Sequence, residues 1–418
     1  MRHPWSYSRI TTALLFAAAA LLLQASNAGA MPMFARKLGV PCATCHTTIP
    51  RLNETGYRFR AAGFRLPEEI GKEETKPFEL GDYFSGRIQA RYDASRAKIG
   101  PVSSHRSSIQ FHELTAYPAT GSWGKYFSSL VELSFAPEEP AEVENGYVRA
   151  DQGNPTTFYS GRFGIFHPFE GFGASDRPLA LSRPYFQTNA ANFNQTTFFT
   201  PWGFDQAGVE GGIDYKRTSV RATVFSGLTL REEEGAIKAF PAQGGPLRKP
   251  GGLPSSDTVD FQVFANQILN ADGGGVSAYY YHGRLDLPVA GAEDLFQNSF
   301  DRVALYGSYP VLPKLHLLAA IQQGRDHLVQ GGTLTSRGYF VEADSPLHEY
   351  ATAGVRYDWF DPSRNKADNQ LRGVFAFLNV PLQNGLQFIA EYQNKKTFRG
   401  AQPDRTDNVF QIRLIFIQ

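Results

Sequence analysis

From about residue 81 to the end of the chain, apolar and polar side chains alternate with a period of two. Within 206–216, Val209 and Ile213 alternate with Glu210 and Asp214. A period of two is that of a β-strand, whose successive side chains point to opposite faces. The same alternation recurs near 84–92, 351–359 and 410–416. This pattern restricts the chain to all-β folds over most of its length.

One face of these predicted strands carries charged residues, which decides between the all-β folds. The inner face of a β-sandwich must be dry, so charges there argue against a sandwich. A membrane barrel has apolar side chains toward lipid and polar ones toward its lumen. Aromatic clusters such as Tyr279-Tyr280-Tyr281 suit the interfacial girdles of such a barrel. The sequence therefore predicts an antiparallel outer-membrane β-barrel.

The pattern predicts sixteen strands. They fall near 82–93, 106–117, 125–136, 143–150, 156–166, 206–217, 218–228, 258–268, 274–285, 299–309, 313–324, 336–345, 349–360, 370–380, 385–396 and 407–417. Connections after even-numbered strands are mostly short, and most of those after odd-numbered strands are long, as in outer-membrane barrels. The short connection at 137–142 breaks this rule. An even count places both barrel ends, and the segment before them, on the periplasmic side.

The first thirty residues predict a secretory signal peptide. Arg2 and Arg9 give a positive start, residues 13–23 form an apolar run, and Ala28-Gly29-Ala30 supplies the small-x-small cleavage pattern. The apolar run is too short for a spanning helix. We therefore expect three parts: a signal peptide at 1–30, a cofactor segment with its linker at 31–80, and the barrel at 81–418.

The only two cysteines of the chain form the motif Cys42-Ala43-Thr44-Cys45-His46. Two thiols at this spacing followed by histidine are the attachment pattern of one covalent c-type haem, with His46 as the proximal iron ligand. The alternatives are a structural disulfide and a thioredoxin-like redox pair. The redox pair needs a strand–helix context that is not evident here. A bare disulfide leaves the adjacent histidine and the export signal unexplained.

The distal iron ligand cannot follow the usual small-cytochrome plan, because the chain has no methionine after Met33. The prediction is that Met33 loops back onto the iron. A distal histidine and an open sixth position stay as alternatives. His112 and His316, both on the lumenal parity of their strands, are among the histidine candidates, although a hydrogen-bonded lumenal role suits each of them better.

The segment after the motif predicts a helix from about Pro50, with apolar residues that could cover a haem edge. Five basic residues accompany it and either pair haem propionates or face solvent: Arg36, Lys37, Arg51, Arg58 and Arg60. A barrel of sixteen strands leaves a channel unless something fills it. The haem segment is a natural plug, with lumenal carboxylates such as Glu210, Asp214 and Glu391 as partners for its basic helix. A haem domain hanging below the barrel is the alternative.

The chain resembles the fused outer-membrane monohaem cytochrome c–porins of iron(II)-oxidising bacteria. The resemblance rests on about thirty residues and on architecture: Phe34-Ala35-Arg36, Gly39, Cys42, Cys45, His46, Pro50, Leu52-Asn53, Gly56, Phe59 and Gly63-Phe64. It implies a barrel of about sixteen strands that takes electrons from extracellular Fe(II) and passes them to periplasmic cytochromes c. Only Cys42, Cys45 and His46 carry over as site residues.

A haem fixed to a barrel in an insulating membrane has one clear use, which is to let electrons cross while solute movement is restricted. The first hypothesis is therefore an electron conduit that oxidises an extracellular donor, most plainly Fe(II), and reduces a periplasmic c-type cytochrome. This would be Fe(II)–cytochrome c oxidoreductase-type electron transfer. The second exports electrons to an external acceptor, and the third is a solute porin with a haem-bearing gate or sensor. A net charge of +1 gives no case for nucleic acid.

Overall fold

The computed structural model describes most of the chain after the predicted signal peptide. The described residues are 33–73, 79–137, 141–168, 178–188, 191–193, 196–198, 202, 205–233, 236–241, 259–288, 295–327, 331–348, 351–382 and 385–417. The predicted signal peptide at 1–30 lies outside them. Among these residues no helix has the length and apolarity needed to cross a membrane.

The N-terminal segment, residues 33–73, is built from short elements. They are α1 (Met33–Leu38), a helical turn at Cys42–Thr44, β1 (His46–Thr48), β2 (Arg51–Leu52), α2 (Glu54–Ala61) and a turn at Pro67–Glu69. The strands β1 and β2 pair with each other as a small hairpin. A further helical turn, Leu80–Asp82, leads into the barrel.

The rest of the chain forms a closed antiparallel barrel. Its strands are β3 (Ser85–Ile99), β4 (Val102–Tyr117), β5 (Gly121–Trp123), β6 (Phe127–Phe135), β7 (Glu142–Gly153), β8 (Thr157–Phe166), β11 (Gln206–Tyr215), β12 (Thr218–Phe225), β15 (Asp260–Ile268), β16 (Gly275–Pro288), β17 (Leu295–Leu312), β18 (Leu315–His327), β19 (Thr333–His348), β20 (Ala351–Asp361), β21 (Leu371–Pro381), β22 (Leu386–Thr397) and β23 (Arg405–Ile417). The loops hold α3 (Tyr185–Thr188) and the hairpins β9 (Ala191–Phe193) with β10 (Thr196–Phe198) and β13 (Leu228–Glu233) with β14 (Ala236–Pro241).

The ring has sixteen strand positions, because β4 and β5 share one. The N-terminal part of β6 pairs with β5, and its C-terminal part pairs with Leu114–Ala116 of β4. Pro118 lies between them, and a proline cannot donate a ladder hydrogen bond. Each predicted strand overlaps an observed one, so the predicted sixteen-stranded barrel is confirmed.

The alternation of side chains follows the predicted inside-out rule. Val209 and Val355 are each 55% exposed on the outer face, whereas Glu210 and Arg356 beside them are 7% and 1% exposed in the lumen. The outer face is thus apolar and the lumen holds the charges. This arrangement suits a barrel whose outer surface is solvated by lipid.

Short connections cluster at one end of the barrel, which we call the short-turn end. They lie at 154–156, 216–217, 269–274, 313–314, 349–350 and 382–385, while the long connections at 167–205 and 226–259 join strand ends at the other end. One expectation was wrong. A connection of about twelve residues was predicted after the first strand, but Ile99 pairs with Val102 across a turn at Gly100-Pro101. Apolar alternation ends near Tyr92, yet backbone hydrogen bonds continue the ladder, and Gly100 adopts the positive φ that the turn requires.

The segment 178–188, from the long connection after β8, folds into the lumen. Arg356 donates to the Ser182 carbonyl at 2.7 Å and pairs with Asp358 at 2.8 Å. The Leu179 amide donates to Glu342 at 3.1 Å. Aromatic rings pack around α3, with Phe186 stacked 6.1 Å from Phe340. Part of the lumen is therefore solid, and its buried charges are paired.

The lipid-facing assignment of β20 can be tested by placing a charge at Val355. The Val355→Arg variant should lose about 2–4 kcal/mol of barrel stability, because arginine near the middle of a lipid-facing strand is poorly solvated. Urea titration of the barrel refolded in lipid vesicles measures this difference. Val355→Leu is the matched control and should stay close to the wild type. Equal stability of the two variants would contradict the assignment.

Candidate haem site

A short helical turn and a hairpin place the three residues of the motif together. In the turn Cys42–Thr44, the Cys45 amide donates to the Cys42 carbonyl at 3.1 Å. His46 then begins β1, which pairs with β2 by setting His46 opposite Leu52. One cavity is lined by Cys42, Cys45 and His46.

The His46 imidazole is held in one orientation by a backbone contact. Its Nδ1 lies 3.2 Å from the Arg51 carbonyl oxygen. A carbonyl can only accept, so Nδ1–H is the donor and Nε2 keeps its lone pair. Burial lowers the pKa of His46, opposed in part by hydrogen bonds to the backbone of Arg51 and Pro50. The ring is thus neutral near pH 7, the form that binds a metal ion.

The environment of the cysteines bears on the two alternative readings of the motif. Both residues are thiols, not halves of a disulfide. Burial raises the pKa of the Cys42 and Cys45 thiols, and for Cys45 the neighbouring Cys42 adds to the effect. A thioredoxin-like pair needs a thiol with a lowered pKa. The site therefore lacks the electrostatics of a redox pair.

Asn53 and Gly56 fix the motif to α2. The Asn53 amide donates to the Cys45 carbonyl at 2.9 Å, and its side chain donates to the Thr44 carbonyl at 3.0 Å. The same side chain accepts from the Gly56 amide at 3.0 Å and so caps α2. A Cβ on Gly56 would lie 2.2 Å from the Cys45 oxygen. Asn53 and Gly56 are among the residues on which the resemblance to the cytochrome c–porins rests. These contacts give a physical reason why an asparagine and a glycine occupy the two positions.

The cavity has a volume of ≈ 330 Å³, within the usual range of ligand pockets, about 300–1,000 Å³. The N-terminal segment supplies an apolar wall made of Phe34, Leu38, Val40, Leu52, Phe59 and Phe64. Phe34 packs 4.9 Å from Phe64 and 5.1 Å from Phe59. The barrel supplies Tyr117, Leu130 and Tyr147 together with polar residues. The cavity therefore lies between the segment and the inner wall of the barrel.

This arrangement fits a c-type haem. Two thiols two residues apart, an imidazole with its Nε2 lone pair available and an apolar wall share one space. Met33, the predicted distal ligand, lies in α1 and is 5% exposed, but it is not among the residues that line the cavity. Its role as a ligand stays a prediction.

Four of the five basic residues of the segment have other uses than propionate binding. Lys37 donates to the Tyr83 hydroxyl at 3.0 Å, and Arg36 donates to the Gly81 carbonyl at 2.9 Å. Arg58 donates to the Pro155 carbonyl. Arg51 pairs with Asp344, and only Arg60 of the five lines the cavity. Most of the basic surface therefore docks the segment onto the barrel.

The docking partners differ from the predicted ones. Glu210 and Asp214 pair with Arg162 and Arg221 of the wall, and Glu391 accepts from the Ser182 amide of the inward loop at 3.4 Å. The prediction that these three carboxylates meet the basic helix was therefore wrong. Arginines of the wall neutralise Glu210 and Asp214, and the alternation pattern alone could not reveal these pairs because the arginines share the lumenal parity of the carboxylates.

A buried ion pair joins Arg51 of the segment to Asp344 on β19. The guanidinium reaches both carboxylate oxygens, at 3.1 and 2.5 Å, and the two side chains are 8% and 2% exposed. His316 lies 3.5 Å from the same carboxylate and 3.0 Å from the Ser308 hydroxyl, which matches the hydrogen-bonded lumenal role predicted for it. A more exposed pair joins Glu54 to Arg217 at 2.6 Å.

Hydrogen bonds to backbone carbonyls of the segment complete the docking. The Asn379 amide donates to the Ile49 carbonyl at 2.8 Å, and Arg149 donates to the Ala61 carbonyl. A Cβ on Gly273 would lie 2.1 Å from the Leu52 oxygen, so the turn 269–274 approaches the segment closely. The segment thus contacts lumenal residues and short turns at the same end of the barrel, as expected for a plug.

The fold is that of outer-membrane porins. The anion-selective porin from Comamonas acidovorans has a TM-score of 0.54 at 11% identity, covering 80% of this chain and 98% of its own. The outer membrane channel DcaP of Acinetobacter baumannii gives 0.52 at 12% identity, covering 80% and 96%, respectively. OprB of Pseudomonas putida gives 0.51 at 9% identity, covering 80% and 94%.

These likenesses define the class as an outer-membrane β-barrel with the porin fold, and at such identities they concern the fold alone. No protein-family model matches the sequence. No curated protein matches it either.

The close contact at Gly56 predicts that an added methyl group will loosen the motif. Gly56→Ala should destabilise the N-terminal segment by about 1–3 kcal/mol, the usual cost of overpacking. Limited proteolysis of the segment in the intact barrel measures the effect as faster cleavage. Gly81→Ala is the matched control, since a Cβ there meets nothing within 4 Å. Equal cleavage rates for the two variants would show that the contact is relaxed at no cost.

The buried pair predicts that Arg51 holds the N-terminal segment in place. Arg51→Met leaves Asp344 buried without its guanidinium, which costs about 3–5 kcal/mol, and should raise the ionic conductance of the protein in planar bilayers. Arg217→Met breaks only the exposed pair, worth about 0–1 kcal/mol, and should change little. The Arg51→Met, Asp344→Asn double variant should regain part of the low conductance. An unchanged conductance in Arg51→Met would remove Arg51 from this role.

Proposed function

We propose that the protein binds one c-type haem covalently through Cys42 and Cys45, with His46 Nε2 as the proximal iron ligand. The observation that carries this proposal is the single cavity shared by both thiols, the oriented imidazole and an apolar wall. A haem supplies one-electron redox chemistry without proton transfer. No general acid or base is then needed from the chain.

The residues of the chain prepare the site for that group. The Arg51 carbonyl fixes the His46 tautomer, and a hydrogen bond of this kind orients a ligand ring and raises its basicity. Asn53 ties the motif backbone to α2, so the thiols and the imidazole keep one relative position. The phenylalanines of the segment keep water from one side of the cavity. Exclusion of water is one of the means by which a protein sets a haem potential.

In this proposal the barrel holds the haem segment within an insulating membrane, and the protein acts as an electron conduit. Electrons would pass from an extracellular donor, Fe(II) by the resemblance to iron-oxidising cytochrome–porins, through the haem to a periplasmic c-type cytochrome. Two features support restricted solute passage. The N-terminal segment lies in the short-turn mouth, and the segment 178–188 folds into the lumen. Electron export to an external acceptor uses the same parts in the opposite direction.

A solute porin with a haem-bearing gate is the second candidate. The observation that favours it is the extent of the porin likeness, which covers 80% of this chain. The two candidates differ in the expected current. A conduit carries little steady ionic current through a planar bilayer, whereas a porin with its gate open carries a large one.

Stopped-flow visible spectroscopy tests iron oxidation directly. Purified protein is mixed anoxically with Fe(II). The spectrum of a reduced c-type haem should then appear rapidly. The Cys42→Ala, Cys45→Ala double variant should lack covalent haem and show no such change while still forming a barrel. A haem that dithionite reduces but Fe(II) does not would overturn Fe(II) as the donor, and a chain without covalent haem would overturn the proposal itself.

A further inference from the structure

The cavity contains a second imidazole that the sequence pattern did not single out. His167 lines it together with Cys42, Cys45 and His46. It lies one residue after β8, at the start of the long connection 167–205, where the period-two pattern ends. Only the closed barrel, with its N-terminal segment docked inside, brings residue 167 beside a cavity that is built around residue 46.

We propose that His167 supplies the distal axial ligand of the haem, which makes the centre bis-histidine. This inference rests on the proposed function and deepens it. The cavity residues offer few competing donors. Haem iron in proteins is held by histidine, cysteine thiolate, methionine or tyrosine, and among the described residues that line the cavity no methionine occurs. In c-type attachment the two thiols are consumed as thioethers to the porphyrin.

The two tyrosines of the cavity are weaker candidates than His167. The Tyr117 hydroxyl donates to Glu132 at 2.7 Å. Tyr147 packs with its ring 6.1 Å from Phe166 and 5.4 Å from the Arg162 guanidinium. A tyrosine binds iron as a phenolate and must first lose its hydroxyl proton. A neutral imidazole binds a metal ion through its nitrogen lone pair and loses no proton.

The backbone on both sides of His167 is anchored to the barrel wall. Phe166 is fully buried, lies 5.4 Å from Phe225 and carries the Arg162 guanidinium 3.8 Å above its ring. The Pro168 carbonyl accepts from the Gln262 side chain at 2.7 Å. His167 is therefore presented from a fixed position, which an axial ligand requires.

The other described histidines lie away from the cavity. His316 is engaged with Ser308 and Asp344, and His282 with Asp301 at 2.9 Å. His112 is the extra residue of a bulge in β4, where Gln89 pairs with Glu113 and Ala90 with Phe111. None of these three lines the cavity, and neither do His105, His327 and His348.

The assignment has a consequence for the donor. A methionine ligand raises a haem potential relative to histidine. A bis-histidine centre therefore accepts electrons only from donors of correspondingly low potential, which narrows the reductants that the conduit can use.

The test compares the haem-loaded protein with three variants. The ferric wild type should show a low-spin spectrum by visible absorption and by electron paramagnetic resonance. His167→Ala should lose the low-spin signal and gain a high-spin one, and added imidazole should restore it. His167→Met should keep a low-spin haem, gain the far-red band of thioether ligation and shift the midpoint potential upward. Met33→Leu is the control and should match the wild type. Circular dichroism shows that each barrel has folded.

The outcomes separate this inference from the proposed function. A low-spin spectrum that survives His167→Ala, its loss in Met33→Leu, or a high-spin wild type each overturns the assignment of His167. Haem that stays on the chain in a denaturing gel reports covalent attachment whatever the axial ligands are. Absence of that haem from the wild type overturns the proposed function and this inference together.

Discussion

Closure of the barrel is the constraint on which the rest of the structure depends. In hydrocarbon every backbone N–H and C=O must find a partner within the protein, so a sheet can cross a membrane only as a ring without edges. The last strand completes that ring by pairing with the first from Arg405–Ile99 to Ile417–Arg87. The outer face can then be largely apolar, and most of the charges that alternate with it face one enclosed space.

That enclosed space explains why the interior is crowded with paired charges. Arg302 and Asp326 are both fully buried and lie 2.9 Å apart, and Arg356 pairs with Asp358 in the same way. Breaking such pairs is costly, because an unpartnered charge stays buried. Inserted elements must therefore bring polar groups that match the wall. The loop 178–188 does so with backbone amides and Ser182, and the N-terminal segment does so with Arg51 and backbone carbonyls.

The walls of the candidate haem cavity come from both the N-terminal segment and the barrel. The N-terminal segment, about forty residues long, is too small to enclose a ligand cavity with its own side chains. It presents the motif and one apolar wall, and the barrel and its inward loop provide the other walls. A cavity assembled in this way joins residues far apart in sequence, such as His46 and His167, and couples the site to the docking of the segment.

The sequence by itself determined what depends on local pattern. Alternation of side chains placed all sixteen strands, and the Cys-x-x-Cys-His spacing marked the three residues that share the cavity. The sequence could not predict contacts between residues that are distant along the chain and meet only in the folded structure. The first hairpin extends past Tyr92 because hydrogen bonds, not apolar side chains, continue its ladder. The partner of Arg51 proved to be Asp344 instead of Glu210, Asp214 or Glu391, because the wall arginines already neutralise the first two. Only the tertiary structure brought His167 to the cavity, since that position depends on closing the ring and filling it.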